Sequence, residues 1–582
     1  MQTPSHRLTL QLAKELFLCK KHKIMALLHS LSIKNFRGIG TFQHQFYTKD
    51  LICLIGRGDS GKTTILDAIS FLLSPSWNLT FYDTDFHDCD IKKPIEIEGT
   101  LIKLPEFFMK EAYALHLRGF NISTGEIENE ITNEHESAIT IRLFVDEDLE
   151  PKWTIIDGRN EPINISASAR SKLNTYLISD YTESHFSWSK GKPLNSILRQ
   201  EKSENQEEEK NIIIEALREA KTKIDSNSFQ DFNGVADKVK KSAKEIGVDI
   251  SGTKTTLDFK DISIRDNRVC LHDINIPFRL KGKGSKRLIS IAIQTIIADL
   301  GGIVLIDEVE QGLEPDRVKH LVRTFERLNS GQVFITTHSQ NVIEELNSKK
   351  LLLISNNNGE CIGKECTRKF QDIVRACPEA MFAKKVIVCE GKTELGICRS
   401  MDEDRIKNDF NSFSELGIVC VLGEGNSFTK RAMKLHNLNI EVCVFCDSDV
   451  DDTLKPSKQE LIDSDIEIFD CENGNSIEQQ FCKNLPWSEI KKIVSYAIEE
   501  VGLQSVTQTI ENNLSGKLES NWLDEDNQEI RNAIGKAAKS RDWFKRIDHG
   551  EFLGTIYFEN EEILKETQLY RQLTDIHNWI ED

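Results

Sequence analysis

Leu51-Ile52-Cys53-Leu54-Ile55 is an unbroken apolar run that leads directly into Gly56-Arg57-Gly58-Asp59-Ser60-Gly61-Lys62-Thr63. The eight residues after the run fit G-x-x-x-x-G-K-[ST], and Ile65-Leu66-x-Ala68-Ile69 continues as a helix. Strand, glycine loop and helix N-terminus in that order form a phosphate cradle. The loop N–H groups face the phosphates, the Lys62 ammonium reaches the β- and γ-phosphates, and the Thr63 hydroxyl is placed to ligate Mg²⁺.

A second strand, Ile303-Val304-Leu305-Ile306, ends in Asp307-Glu308. Asp307 suits the role of holding Mg²⁺, and Glu308 is placed to polarise an attacking water. Many buried strands end in acids, so the neighbours matter. Gly282-x-Gly284-Ser285-Lys286-Arg287 stands just before a helix that leads to this strand. Glu310-x-Gly312-Leu313-Glu314-Pro315 follows it, and Phe334-Ile335-Thr336-Thr337-His338-Ser339 puts a lone histidine after another strand. Taken alone, His338 reads as a satisfied histidine at a strand end.

The order of these elements resembles the ATP-binding-cassette ATPases of the chromosome-maintenance and RecF type, and Leu31-x-Ile33-x-Asn35-Phe36-Arg37-Gly38 resembles their opening strand. The resemblance implies an ATP site built from Arg37, Gly56, Gly58, Asp59, Ser60, Gly61, Lys62, Thr63, Thr64 and Asp307. It also implies that Gly284 and Ser285 of one copy touch the γ-phosphate held by another, and that His338 senses it. The sequence departs from the pattern in one place. No Q-loop glutamine follows the first helix, and Asp85-Phe86 lies near where it would stand.

Toward the C-terminus, Val386-Ile387-Val388-Cys389 runs into Glu390-Gly391-Lys392-Thr393-Glu394, and the strand-like run 442–446 leads into Asp447-Ser448-Asp449. Sites in open parallel sheets form at the carboxyl ends of strands. Carboxylates brought together there repel one another unless cations lie between them, and hard divalent ions are the natural occupants. A further acid stands in Asn475-Ser476-Ile477-Glu478, after the apolar run 466–469. Any one of these acids alone reads as a solvated turn carboxylate.

As an ordered set they resemble the Toprim domain of topoisomerases, primases and certain nucleases. An ATPase head followed by a Toprim domain resembles the OLD (overcoming lysogenization defect) family, similar to the nucleases of Gabija antiphage systems and of some retrons. The resemblance implies an α/β protein: an ABC-type ATPase head with a helical dimerisation insert, then a Toprim domain with a parallel sheet. It implies ATP-regulated, two-metal cleavage of DNA, with Glu390, Glu394, Asp447, Asp449 and Glu478 holding Mg²⁺ or Mn²⁺, and often an antiphage role. The partners it implies are nucleic acid, a second copy of the chain, and a reverse transcriptase or helicase encoded nearby. A C-terminal basic residue assists in this family; Lys539 best matches its place, with Lys545 as the rival. Both belong to a basic cluster, Lys536, Lys539, Arg541, Lys545 and Arg546 around Trp543-Phe544, that reads equally as a solvated helix face or a phosphate grip. A nucleotide-sensing assembly module with an inert Toprim, and a Toprim RNase, stand as alternatives.

The whole-chain arithmetic agrees with several domains. The chain has 582 residues, 39% of them hydrophobic, which excludes a disordered or fibrous protein and gives roughly three to five folding units. Lys+Arg 74 against Asp+Glu 93 leaves a net charge of −19, so this is no general polyanion binder. The longest apolar stretch, 289–306, is broken by Gln294, Asp299 and Gly301-Gly302, which argues against a membrane span. Lys14 and Glu15 interrupt the apolar patch near the N-terminus, which argues against a secretory signal. The 14 cysteines at irregular spacing read as buried and reduced, as expected in the cytoplasm. The expected division is an extension at 1–24, ATPase lobes at 25–155 and 251–370, a helical insert at 156–250 and the Toprim domain at 378–582, with Met25 an alternative start to Met1.

Overall fold

The computed structural model describes residues 26–581 apart from 130, 133–134, 180–182, 187–191, most of 201–270, 274, 300, 328–330, 449–453, 473, 515 and 520. The extension 1–24, nearly all of the helical segment 206–248, and Asp449 therefore lie outside the described residues. The chain divides into two compact units, 1–52 with 63–336 and 53–62 with 337–582. The second unit thus takes in the glycine loop and residues 337–370, which the sequence reading gave to the ATPase. Among the described residues no helix is long and apolar enough to cross a membrane.

The first unit opens with strand β1 (Leu27–Phe36), whose buried Leu31 and Ile33 alternate with more exposed positions. It forms a hairpin with Ile39–Gln45 and also pairs antiparallel with Ile95–Ile102. Strand β2 (Leu51–Ile55) is buried throughout and feeds the glycine loop and helix α1 (Lys62–Leu72). Strand β3 (Thr175–Ile178) follows, then helix α2 (Lys283–Asp299), strand β4 (Ile303–Ile306) and strand β5 (Gln332–Thr336). These three strands pair in parallel in the order β3-β4-β5. Strands β4 and β5 are buried at every residue, which is why they read as continuous apolar runs. The position of β3 corrects the expected insert boundary at 156. Thr175-Tyr176-Leu177-Ile178 is β-branched and aromatic, too short for a helical period, and it joins the ATPase sheet.

In the second unit the end of β2 pairs in parallel with strand β6 (Leu351–Asn357), which turns back antiparallel into Glu360–Glu365. Beyond it lies a four-stranded, all-parallel sheet made of β7 (Lys385–Cys389), β8 (Ile418–Leu422), β9 (Glu441–Cys446) and β10 (Glu467–Asp470). Their order is β8-β7-β9-β10. The chain leaves β7 through helix α3 (Lys392–Lys407) to β8 on one side, then returns to β9 on the other. That reversal is a topological switch point, and it opens a crevice at the carboxyl ends of β7 and β9. Helix α4 (Ile477–Asn484) follows β10, and helices α5 (Gln528–Ser540), α6 (Ile547–Glu559) and α7 (Gln568–Glu581) complete the unit. Their apolar faces share one core with the sheet, including Ile387, Phe445, Phe481, Ile534, Leu553 and Ile576.

Helix α3 crosses α6 at glycines. A Cβ at Gly396 would stand 2.6 Å from both Gly550 Cα and the Glu551 amide nitrogen, and one at Gly554 would stand 2.7 Å from Ser400 Cβ. Two side-chain bonds clamp the crossing: Thr393 Oγ1 donates to Phe544 O at 2.7 Å and Ser400 Oγ to Glu551 O at 2.6 Å. Because the obstacles are backbone atoms, a side chain at Gly396 cannot be absorbed by a rotamer change. Gly396→Val is therefore expected to destabilise the protein by about 1–3 kcal/mol, read as an earlier midpoint in urea unfolding, whereas Ser414→Val on the exposed short helix should not.

Candidate functional site

The glycine loop is shaped by backbone that side chains resist. Gly56 has φ +139° and Gly61 φ +94°, and a Cβ on Gly56 would collide with the carbonyl oxygen of Ile354. Within this loop Lys62 is buried, and its Nζ donates to Gly56 O at 3.0 Å, Arg57 O at 2.7 Å and Ser60 Oγ at 3.2 Å. The ammonium is thus held at the centre of the loop. Gly58 and Asp59 are exposed at its rim, and Thr64 is half-buried on the helix that follows.

In the first unit, Thr63 Oγ1 donates to Asp307 Oδ1 at 3.1 Å, so hydroxyl and carboxylate lie side by side as a shared cation would require. Thr336 organises this pair. Its hydroxyl donates to the same Asp307 Oδ1 at 2.6 Å and accepts from the Glu308 amide at 2.7 Å. Glu308 is exposed and has φ +46°, a left-handed backbone that costs roughly 1–2 kcal/mol for a residue with a Cβ. The buried Arg287 guanidinium holds that bend from the other side, donating to Asp307 O, to Glu308 O at 3.1 Å and to Ser179 O at 2.9 Å. Gly284 packs onto the carbonyl of Gly312, which a Cβ would meet at 2.6 Å, and Ser285 next to it is exposed. In the second unit His338 is exposed, its ring 6.2 Å from that of Phe382.

Arg37 lies beside α1. Its guanidinium is bound to two carboxylates, donating to Asp67 on α1 and, at 2.8 Å, to Asp85. Asp85 stands where the glutamine was sought. Burial, offset by Arg37, leaves the Asp67 carboxyl above its usual range. Arg37 here ties the first hairpin to α1.

The carboxyl ends of β7 and β9 bring the second set of acids together. Glu390 Oε2 accepts from the Asp447 amide at 3.0 Å. Asp447 Oδ1 accepts from the Ile477 amide at 2.7 Å, at the positive N-terminus of α4. Glu394 Oε2 accepts from the Gly391 amide at 2.9 Å, and Ser476 Oγ donates to Glu478 Oε2 at 2.8 Å. Glu478 Oε1 is buried and accepts no hydrogen bond; it faces Lys545 Nζ at 3.5 Å. Burial, then the charges of Glu394, Glu478 and Glu390, push the Asp447 carboxyl up to about 8. Burial also lifts Glu394 to about 7, against the pull of Lys545. Burial works against the Lys545 ammonium too, but Glu478, Glu394 and Asp447 outweigh it and hold the charge in place.

Of the two expected lysines, Lys545 is the one that lies among the acids; Lys539 sits in the last turn of α5. Trp543 and Phe544 are buried, so the basic cluster is no uniform solvated face. The sequence reading missed Thr336 and Arg287, which carried no signal beyond the quoted strings, and Lys458, whose Nζ donates to Asp447 O at 2.7 Å.

The donor set has the chemistry of a hard-cation site: buried carboxylates that repel, two of them proton-holding, and one oxygen with no hydrogen bond. Among the described residues no three of these side chains are drawn together around a common ion position.

Raised carboxyl pKa values fix the sign of a pH effect. Near pH 4, where unfolded Asp and Glu titrate, the folded protein keeps protons that the unfolded chain releases. That stability is present at low pH and is lost as pH rises through about 7 and 8. Metal-free protein should therefore become less stable between pH 5 and 8, by an amount on the order of a few kcal/mol. Asp447→Asn should flatten the slope, and Mg²⁺ added at pH 8 should raise the melting temperature of the wild type more than that of Asp447→Asn, both followed by thermal melting.

Residues 27–343 match the AAA ATPase domain family, and residues 381–449 match the TOPRIM domain of overcoming lysogenization defect-like proteins. No curated protein matches the chain. Similar solved structures include an Smc head bound to the C-winged helix domain of ScpA, 15% identical, covering 58% of this chain and 97% of that one at a TM-score of 0.33. A Pyrococcus furiosus Smc head with an extended coiled coil bound to the C-terminal domain of ScpA is 14% identical over 58% of this chain and 96% of that one, TM-score 0.32. The recombination mediator RecF with ATP is 13% identical over 58% and 99%, TM-score 0.33. With an AAA ATPase domain over more than half its length and an OLD-like TOPRIM domain after it, the chain belongs to the OLD family of ATPase–Toprim proteins.

Proposed function

We propose that the protein is a divalent-metal-dependent endonuclease acting on DNA, governed by ATP at its ATPase domain. The observation that carries this is the set Glu390, Glu394, Asp447 and Glu478 at a topological switch point, with the Lys545 ammonium among them. These acids, with Asp449, would hold Mg²⁺ or Mn²⁺. Such an ion supplies an activated water and charge stabilisation at the scissile phosphate. Asp447 and Glu394, which retain protons near neutrality without metal, give up their protons to the solvent when a cation is held. Lys545 brings a fixed positive charge to the same place, suited to a phosphate oxygen as negative charge builds there. On a chain of net charge −19, such local cations are what a polyanionic substrate would meet.

On the ATPase side, the loop amides and Lys62 would grip the phosphates, Thr63 and Asp307 would hold the Mg²⁺, and Glu308 would polarise the water. Gly284 and Ser285 would complete the site of a second copy, making ATP the bond of a homodimer, with His338 as the γ-phosphate sensor. The role as a cytoplasmic antiphage effector, and a reverse transcriptase or helicase as partner, rest on the family resemblance alone.

Asp447→Ala is expected to lower metal-dependent DNA cleavage by at least about 100-fold, and Lys545→Ala by about 100-fold, with ATP turnover retained in both. Cleavage of RNA and not DNA by the wild type would replace the substrate, and wild-type cleavage by Asp447→Ala would end the nuclease reading. Glu308→Gln should keep nucleotide binding but slow hydrolysis by about 100-fold or more, and Lys62→Ala should lose nucleotide binding in a calorimetric titration.

A further inference from the structure

Three thiols lie together on the face of the Toprim sheet that α3 covers. Cys389 ends β7, Cys398 stands on α3, and Cys420 is in the middle of β8. Cys389 Sγ is 3.8 Å from Cys398 Sγ, and both are within reach of the Cys420 thiol. Cys389 and Cys398 are buried, while Cys420 is half-exposed. A cavity of 430 Å³ opens here, with Cys398 and Cys420 both in its wall beside Arg399, Asp402 and Glu379. Other buried cysteines, such as Cys446, Cys471 and Cys482, have no place in that wall. The arrangement therefore combines what a reactive thiol pair needs: neighbouring thiols, and a route for a small solute.

We propose that Cys398 and Cys420 form a peroxide-responsive site that closes into a disulfide and locks α3 against β8. In the first step the Cys420 thiolate attacks one oxygen of a hydroperoxide. The S–O bond forms, the O–O bond breaks, and the other oxygen leaves as an alcohol or water, leaving a sulfenic acid. In the second step the Cys398 sulfur attacks Cys420 Sγ; the S–S bond forms, the S–O bond breaks, and hydroxide departs as water with the Cys398 proton. Two thiols are oxidised and one hydroperoxide is reduced. Cys420 is the half-exposed thiol of the three and stands in the cavity wall, where a hydroperoxide would meet it first, which makes it the attacking sulfur.

The site has a direct line to the acids. Cys398 lies one helical turn beyond Glu394 on α3, on the same face, and Cys389 directly precedes Glu390. Closing the bridge fixes α3 to β8, and so restrains the helix that carries Glu394. An effect on cleavage rests on the nuclease reading above; the bond itself does not.

The test is hydrogen peroxide treatment of the reduced full-length protein, followed by non-reducing peptide mass spectrometry. The expected product is a linked peptide pair containing Cys398 and Cys420, cleaved by dithiothreitol. Cys420→Ser should lose it and Cys446→Ser should keep it. The double variant Cys389→Ser with Cys398→Ser should leave a sulfenic acid on Cys420 that dimedone captures, an outcome independent of bridge geometry. Oxidised wild type should cleave DNA about tenfold or more slowly, with recovery on reduction. No bridge and no dimedone adduct in protein that is folded by circular dichroism would overturn the site. A bridge with unchanged cleavage would overturn its control of α3. Absence of cleavage even in reduced protein would fail the nuclease reading and leave the bridge to be judged by mass alone.

Discussion

Mutual repulsion among four carboxylates, three of them buried, is the constraint around which the C-terminal unit is organised. Glu390, Glu394, Asp447 and Glu478 come from two strand ends and two helix starts, and left to themselves they would separate or take up protons. Each is instead held by a backbone amide or a hydroxyl: Asp447 by the α4 N-terminus, Glu390 by the Asp447 amide, Glu394 by Gly391, and Glu478 by Ser476. Lys545 supplies the opposite charge from the far side. The glycine crossing of α3 and α6 belongs to the same arrangement. It fixes the helix that carries Glu394 in its first turn against the helix that begins just after Lys545, so backbone contact sets the spacing between a carboxylate and its cation.

The ATPase domain uses a different device. Its acids are few, and the difficulty lies in the backbone: Glu308 is bent into a conformation it does not favour. One hydroxyl, that of Thr336, ties the Asp307 side chain to the Glu308 amide, and one guanidinium, that of Arg287, ties both carbonyls. Arg287 stands on α2, the helix that opens with Gly284 and Ser285. Arg287 thereby joins that helix to the strand end that carries the two acids.

Much of this was legible in the sequence because the informative residues are contiguous. A glycine loop after an apolar strand, and acids after later strands, are local strings whose spacing carries their geometry. The α/β architecture with a parallel Toprim sheet follows from them. What was not legible depends on contacts far apart in the chain. Nothing local separates Lys545 from Lys539; the difference is that the Phe544 carbonyl is pinned by Thr393, which carries the next residue to the acids. The motif around Arg37 carries its likeness to a nucleotide-site arginine, but not the ties of its guanidinium to Asp67 and Asp85 on later elements. Strand β3 was hidden for the opposite reason: four residues are too few for a period, and only pairing with β4 makes them a strand.

The order of the charged groups along the chain has a consequence for how the protein is made. Every described carboxylate of the Toprim cluster has been synthesised by residue 478, whereas the ammonium that accompanies them arrives only at residue 545, followed by the helix that wedges α3 in place. A chain emerging N-terminus first therefore carries its acids without their counter-charge through the whole of α4 and α5. The centre closes only once Lys545 and the helix after it have been made, so chains cut short before residue 545 lack an assembled centre.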